Sequence, residues 1–172
     1  MLLYNIPGRS GVALSLDTLR TLAKEANIVG VKDATGSLDT ATDLSASHPG
    51  FTILSGDDAL TLPFMSLGAR GVVSVVSNRF PEASVELVAA ALAGNFVRAR
   101  AVHEALLPFA RAAFIESNPG PIKAALVTAQ VIGNSTLRLP LVGLADASAA
   151  SLAAATDRSC ASLAAIGVAN GV

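Results

Sequence analysis

The sequence predicts an α/β protein in which four parallel strands, each followed by a helix, precede a part made of helices alone. Short runs rich in Val, Ile and Leu end in polar or turn-forming residues, which is typical of buried parallel strands. Segments with helical periodicity separate these runs. The strand–helix alternation favours a parallel sheet with right-handed crossovers, and after the fourth run only helical patterns follow.

The four strand-like runs cover residues 2–6, 28–32, 51–55 and 71–76. Between the first two runs, Leu16, Leu19 and Leu22 share one stripe of a predicted helix. Shorter helices are predicted at residues 38–47 and 59–67. A parallel sheet of only four strands leaves two unpaired edges, and such edges favour association with further strands.

In the helical part, Pro81 suits a first helical turn and Gly94 suits the end of that helix. The Ala- and Ser-rich tail from Asp146 predicts one or two short helices that fray at residues 168–172. We predict a boundary near Gly94, with a βα part at residues 1–94 and a helical part at residues 95–172. Between Gly94 and the tail, the patterns predict a long helix at 96–114, a break at 118–121, a second helix at 122–131 and an extended loop at 137–143.

Composition excludes several classes of function. The chain has 172 residues, of which 52% are hydrophobic and 15% charged, with a formal net charge of -1. This composition predicts a folded chain. Its near-zero net charge provides no positively charged surface that would attract nucleic acid or an anionic membrane. With a single cysteine, no signal-peptide pattern and no long apolar run, we expect a cytoplasmic protein without an internal disulfide.

Metal and nucleotide sites are also disfavoured by the sequence. His48 and His103 lie far apart, and neither has a Cys, Asp or Glu partner at ligand spacing. No glycine-rich nucleotide motif is present. We therefore expect no metal and no organic cofactor.

Lys32 is a candidate catalytic residue because of its position in the second predicted strand. In residues 28–32, alternate side chains share a face, so Lys32 ends an apolar strand on the face where Gly30 removes bulk, and Val29 and Val31 point toward the helices. A lysine in an apolar pocket gains access to a neutral, nucleophilic amine. From periodicity alone, the more common interpretation is an ordinary strand-end lysine that reaches solvent.

Two further residues lie near the ends of predicted strands. Tyr4 could hold or pass a proton through its phenol, and its alternative is an aromatic residue bonded to backbone. Arg9 falls in a βα loop, where a guanidinium suits a substrate carboxylate, and its alternative is a solvated loop charge. Asp57 or Asp58 is predicted to cap a helix, and Ser74, Ser77 and Asn78 on or after the fourth strand could line a site or simply fill space.

These segments together resemble the dihydrodipicolinate synthase family, over about residues 1–145. The most specific matches are YNIPGRSG at residues 4–11, similar to the family's strand-5 motif, and VGVKDATG at 29–36, similar to the strand-6 motif with the Schiff-base lysine. The remaining matches are LSGDD at 54–58, GVVSV at 71–75, NPGPIK at 118–123 and LRLPL at 137–141.

The resemblance implies the C-terminal half of a (β/α)8 barrel followed by a C-terminal helical domain, in a family of homotetramers. It implies a lyase that condenses pyruvate with aspartate semialdehyde in lysine and diaminopimelate biosynthesis, through an imine on lysine and without a cofactor. By position, Lys32 would be the nucleophile and Tyr4 the proton relay. Arg9 would contact the carboxylate of the aldehyde substrate, and Val73 would line the pyruvate pocket.

The resemblance also leaves alternatives open. The family's first four strands would precede Met1, so we expect either a fragment or truncated form of a longer enzyme, or a non-catalytic half-barrel remnant. A sugar-acid aldolase of the N-acetylneuraminate lyase type shares the lysine and the tyrosine. Those relatives generally lack an arginine at the position of Arg9, so Arg9 favours the synthase subgroup, whereas Ser10 departs mildly from its usual threonine.

Overall fold

The computed structural model describes residues 1–169 and divides into two compact units. The first unit comprises Met1–Ser74 with Ala91–Gly94, and the second comprises Val75–Ala90 with the chain from Asn95 onward. The predicted fraying at 168–172 lies partly outside the described residues, because these end at residue 169. Val168, which is described, is buried and donates its N–H to the carbonyl of Leu163.

The first unit contains a parallel sheet whose strands follow the order of the chain, β1-β2-β3-β4. This confirms the predicted α/β class with four parallel strands. The strands are shorter than predicted, with bounds β1 Leu2–Asn5, β2 Gly30–Asp33, β3 Thr52–Ser55 and β4 Gly71–Val72. The fourth strand differs most from its prediction, because it ends at Val72 and a 3₁₀ turn follows at Val76–Asn78. Ser77 lies in this turn and not in the strand.

Serine caps begin two helices of the first unit. The hydroxyl of Ser15 accepts the N–H of Thr18, and that of Ser37 accepts the N–H of Thr40, so each cap satisfies a donor that its helix leaves free. The bounds are α1 Pro7–Ser10, α2 Leu16–Leu22, α3 Leu38–Ser47 and α4 Thr61–Ser66, with a 3₁₀ turn at Asp58–Leu60 before α4. Helix α3 matches its predicted bounds, whereas α1 replaces part of a predicted loop.

One face of the sheet is buried and the other is partly open. Leu3, Val31 and Ile53 are register neighbours in three adjacent strands, and the last two are 0% and 3% exposed. Leu19 of α2 and Leu44 of α3 belong to the same buried set, and full burial of such side chains contributes about 1.5–3 kcal/mol each. The predicted helix-facing position of Val29 is wrong, because this residue precedes β2 and is 57% exposed.

The second unit is helical, with α5 Pro81–Leu92, α6 Phe96–Ala112, α7 Gly120–Thr128 and α8 Asp146–Ala165, except that the last two residues of α5 belong to the first unit. Phe80 and Phe109 pack edge to face in its core, with centroids 5.0 Å apart. Pro108 lies inside α6, and the hydroxyl of Ser159 accepts the N–H of Phe109 at 3.2 Å. The prediction of short tail helices is wrong: α8 is one helix of 20 residues, because its alanines favour helix and its Leu152, Ser159 and Leu163 are buried.

The segment between α7 and α8 has no regular helix or strand at residues 137–143, and the N–H of Leu141 donates to Arg138 in a turn there. Helix α7 begins and ends earlier than predicted, because Gly120 and Pro121 already form its first turn. Within residues 1–169, no helix combines the length and the hydropathy that a membrane span requires.

Candidate active site

Lys32 and Tyr4 lie side by side at the carboxyl end of the sheet. They are register partners in β2 and β1, so their side chains leave the same face. The Nζ of Lys32 lies 3.9 Å from the centroid of the Tyr4 ring. Lys32 is half-buried and Tyr4 is 49% exposed, a geometry in which a cation–π contact contributes about 0.5–1 kcal/mol. The structure thus brings the two residues together, with the amine over the face of the ring.

Gly30 allows the strands beside Lys32 to approach closely. A Cβ at this position would lie 2.3 Å from the carbonyl oxygen of Thr52 and 3.0 Å from the Leu2 side chain. The space is therefore taken up by neighbours on β1 and β3. The predicted absence of bulk at Gly30 is present, but Thr52 and Leu2 fill the space, so no open pocket results beside Lys32.

Arg9 lies in α1, directly after β1. The N–H of Gly11, which has a φ of 73°, donates to the carbonyl of Pro7 and ends this short helix. The Arg9 side chain is exposed, and among residues 1–169 its guanidinium has no salt-bridge partner. Arg9 is therefore available to an anionic ligand on the connection that follows the tyrosine strand.

Val73 and the residues around it lie just beyond the strand ends. Val73 is 42% exposed and donates its N–H to the carbonyl of Ser55 at 2.9 Å, so it continues the β3–β4 pairing without belonging to β4. The hydroxyl of Ser74 donates to the carboxylate of Asp58. The predicted capping role is confirmed for Asp57, whose carboxylate accepts the N–H of Ala59 at 2.8 Å.

A row of buried polar residues was missed by the sequence analysis. Asn5, Asp33 and Ser55 are register partners at the ends of β1, β2 and β3, and they are 2%, 2% and 0% exposed. Each side chain bonds backbone of the connection that follows its own strand. Their parity with the buried Leu3, Val31 and Ile53 could have revealed them, since a polar residue on a buried face requires a hydrogen-bond partner.

Neither histidine lies on the strands that carry Lys32 and Tyr4. His48 follows α3 as its C-terminal cap, and His103 lies within α6 of the second unit. Burial lowers the pKa of His103, while the neighbouring Glu104 acts in the opposite direction. In the described part of the chain, no group of three His, Cys, Asp or Glu side chains could hold a metal ion.

The first unit is thus a parallel βα protein with an amine and a phenol paired at the carboxyl end of its sheet, the edge where folds of this kind place their sites. Residues 1–158 match the model of the dihydrodipicolinate synthetase family. Because this match covers most of the sequence, the chain belongs to that family.

Relatives of known sequence and structure are similar over about half of their own length. The 4-hydroxy-tetrahydrodipicolinate synthase of Protochlamydia amoebophila is 49% identical over 146 residues, which are 83% of this chain and 48% of the relative. The solved enzyme of the same name from Methylacidiphilum fumariolicum is 46% identical, with a TM-score of 0.92 over 96% of this chain and 55% of that one. A chloride-inhibited Acinetobacter baumannii dihydrodipicolinate synthase complexed with pyruvate is 38% identical, with a TM-score of 0.87 over 92% and 54% of the two chains.

Proposed function

We propose that this chain supplies the Schiff-base half of a 4-hydroxy-tetrahydrodipicolinate synthase, a lyase of lysine and diaminopimelate biosynthesis. The observation that carries the proposal is the position of the Lys32 amine, 3.9 Å from the Tyr4 ring centroid at the carboxyl end of the sheet, in a chain of this family. Pyruvate is the proposed first substrate because a solved relative was obtained with pyruvate bound.

In the proposed reaction, the amine of Lys32 first gives up its proton and then attacks the keto carbon of pyruvate, which forms a C–N bond. The keto oxygen leaves as water, and an imine remains on Nζ. The imine withdraws electrons, so the methyl group loses a proton and the resulting enamine carbon bonds to the aldehyde carbon of aspartate semialdehyde. The aldehyde oxygen takes up a proton in this step. The amino group of the former aspartate semialdehyde then attacks the imine carbon, which closes a ring, breaks the bond to Nζ and releases the Lys32 amine. Tyr4 is the proposed relay for these protons, because its phenol can donate and accept and its strand adjoins that of Lys32.

Arg9 and Val73 are the proposed substrate contacts. The exposed guanidinium of Arg9 offers paired donors to the carboxylate of aspartate semialdehyde. Val73, at the end of the β3–β4 pairing, would line the pyruvate pocket. The second candidate is a pyruvate-dependent sugar-acid aldolase of the N-acetylneuraminate lyase type, and Arg9 argues against it because an uncharged sugar aldehyde gives an arginine no anionic partner.

The proposed fold context is the C-terminal half of a (β/α)8 barrel at residues 1–94 and a C-terminal helical domain at residues 95–172. The open face of the sheet supports this proposal: Leu2 and Tyr4 share it with Lys32 and are both exposed. Four further strands would cover that face and restrict water around the amine. The same openness favours a non-catalytic half-barrel as the alternative if no such strands join the sheet.

We further propose a cytoplasmic homo-oligomer that works without metal or organic cofactor, since the lysine imine itself serves as the electron sink. The family assembly implied by resemblance is a homotetramer. A dihydrodipicolinate synthase variant described as monomeric exists among the solved relatives, so the oligomeric state of this chain is a quantity for direct measurement.

Borohydride trapping tests the nucleophile. Incubation with pyruvate and borohydride should add one reduced adduct to the folded chain, and peptide mapping should place it on Lys32. The variant Lys32→Ala should lose the adduct, whereas Lys24→Ala, which removes an exposed lysine from a turn of the same unit, should keep it. A folded chain without an adduct, or an adduct that survives Lys32→Ala, would refute the proposal.

A further inference from the structure

We propose that Asn5 is a positioning residue, which fixes Arg9 by tying the connection between β1 and α2 to the end of the sheet. The inference rests on the proposed function, in which Arg9 binds the carboxylate of the acceptor aldehyde. Asn5 is not proposed to touch either substrate, because Tyr4 faces the open side of the sheet and its neighbour Asn5 has the opposite parity.

The side chain of Asn5 makes two hydrogen bonds to one residue. Its Nδ2 donates to the carbonyl of Leu14 at 3.1 Å, and its Oδ1 accepts the N–H of Leu14 at 3.0 Å. An amide is the neutral side chain that can donate and accept in this paired manner. The pair closes a loop between residues 5 and 14, and Asn5 is 2% exposed, so water cannot readily replace either bond.

The rest of the connection is held mainly by itself. Residues 8–13 are exposed, and the hydroxyl of Ser10 bonds the carbonyls of Ile6 and Val12 inside the connection. In the part of the chain that the structure describes, the hydrogen bonds joining residues 7–14 to a strand are the two that Asn5 makes. The N–H of Arg9 donates to the carbonyl of Ile6, directly after β1, so the near side of the segment is held locally. The Asn5 pair holds its far side, at Leu14, and so limits how far Arg9 can swing away from the sheet.

The neighbouring strands use the same device over shorter distances. The carboxylate of Asp33 accepts the N–H of Thr35 at 2.7 Å, and the hydroxyl of Ser55 accepts the N–H of Asp57 at 3.2 Å. Each of these bonds spans two positions along the chain, whereas the Asn5 pair spans nine. The connection with the longest span carries the exposed arginine. Loss of Asn5 should therefore displace Arg9 and leave the strand ladder that holds Lys32 and Tyr4 in place.

Trypsin measures the tie directly, because it cleaves after Arg9 only when that segment opens. Cleavage after Lys24, in an exposed turn of the same unit, serves as the internal reference. In Asn5→Ala, cleavage after Arg9 should accelerate about tenfold or more, since two hydrogen bonds are lost. Asn5→Asp keeps the acceptor for Leu14 and should give an intermediate rate. Cleavage after Lys24 should stay within about twofold in both variants.

A control variant and a substrate arm separate this role from general destabilisation. Asn95→Ala removes a helix cap on the N–H of Arg98 in the second unit and should leave cleavage after Arg9 unchanged. In protein incubated with pyruvate, aspartate semialdehyde should slow cleavage after Arg9 in the native chain but not in Asn5→Ala. The borohydride-trapped adduct on Lys32 should form equally in both.

The outcomes are distinguishable. Equal cleavage after Arg9 in the native chain and Asn5→Ala would overturn the inference, and so would equal protection by aspartate semialdehyde. Absence of that protection in a native chain that forms the adduct would also overturn it, because Arg9 would then not meet the acceptor. Absence of the adduct itself would overturn the proposed function, while the substrate-free cleavage rates would still decide whether Asn5 holds the connection.

Discussion

Replacing Gly30 by alanine should destabilise the first unit severely, because the sheet has no room for a Cβ beside Lys32. The new atom would lie 2.3 Å from the carbonyl oxygen of Thr52 and 2.8 Å from its Cβ. The closest of these atoms is backbone in the adjacent strand, so relief requires β2 and β3 to separate where Gly30 and Thr52 are paired. Overpacking of this kind costs typically about 1–3 kcal/mol, and contact with backbone places Gly30→Ala near the upper end.

Urea unfolding followed by circular dichroism checks this magnitude. At a urea dependence of about 1–3 kcal/mol per molar, a loss of about 3 kcal/mol lowers the midpoint by about 1 M or more. Gly50→Ala is the matched control, since a Cβ there meets nothing within 4 Å and its midpoint should change little. A Gly30→Ala midpoint equal to that of the control would refute the close-packing argument. The borohydride adduct on Lys32 should weaken in Gly30→Ala in parallel, because Gly30 and Lys32 share β2.

Two predictions concern the second unit. Ser159→Ala should lower its free energy of unfolding by about 0.5–1.5 kcal/mol, since the buried N–H of Phe109 loses its hydrogen bond to the Ser159 hydroxyl. Ser151→Ala, on the exposed side of α8, is the control, and an equal loss of stability in that variant would contradict this prediction. Burial lowers the pKa of His103 in the folded protein. The stability that His103 contributes is therefore present above its pKa in the unfolded chain, about 6.5, and is lost as the pH falls through its pKa in the folded protein. In thermal unfolding at successive pH values, His103→Gln should therefore flatten the decline below about pH 6.5, and an unchanged slope would exclude His103 as its source.

The sequence alone was sufficient for the fold class and for the strand pair that forms the candidate site. Parity within β2 and the family resemblance singled out Lys32 and Tyr4 separately, and only the ladder shows that they are register partners. The prediction of β4 was less accurate. The apolar run of the sequence continues to Val76, but hydrogen bonding between β3 and β4 ends near Val73. The chain then forms the 3₁₀ turn at Val76–Asn78. An apolar run indicates burial, and both a strand and a buried turn satisfy that requirement.

Other features depend on contacts that no local pattern contains. The bonds of Asn5 join residues nine positions apart, so neither strand parity nor turn chemistry identifies Leu14 as the partner. The same holds for Ser159. Its alanine-rich surroundings predict a helix, but they do not predict that its hydroxyl accepts the N–H of Phe109, which lies 50 positions earlier. The length of α8 follows from such packing, whereas composition alone left one or two short helices open.

Lys32 and Tyr4 lie on adjacent strands, and the hydrogen bonds between β1 and β2 alone set their relative position. The edge of the sheet formed by β4 takes no part in this pair. Under the proposed function, formation of the Lys32–Tyr4 pair and enclosure of the reaction are therefore separate requirements. A polypeptide that closed over the open face would alter access, water content and acceptor choice without disturbing the distance between Lys32 and Tyr4. A sheet arranged in this way would allow the enclosing segments to change in evolution while the proposed covalent chemistry stays with β1 and β2.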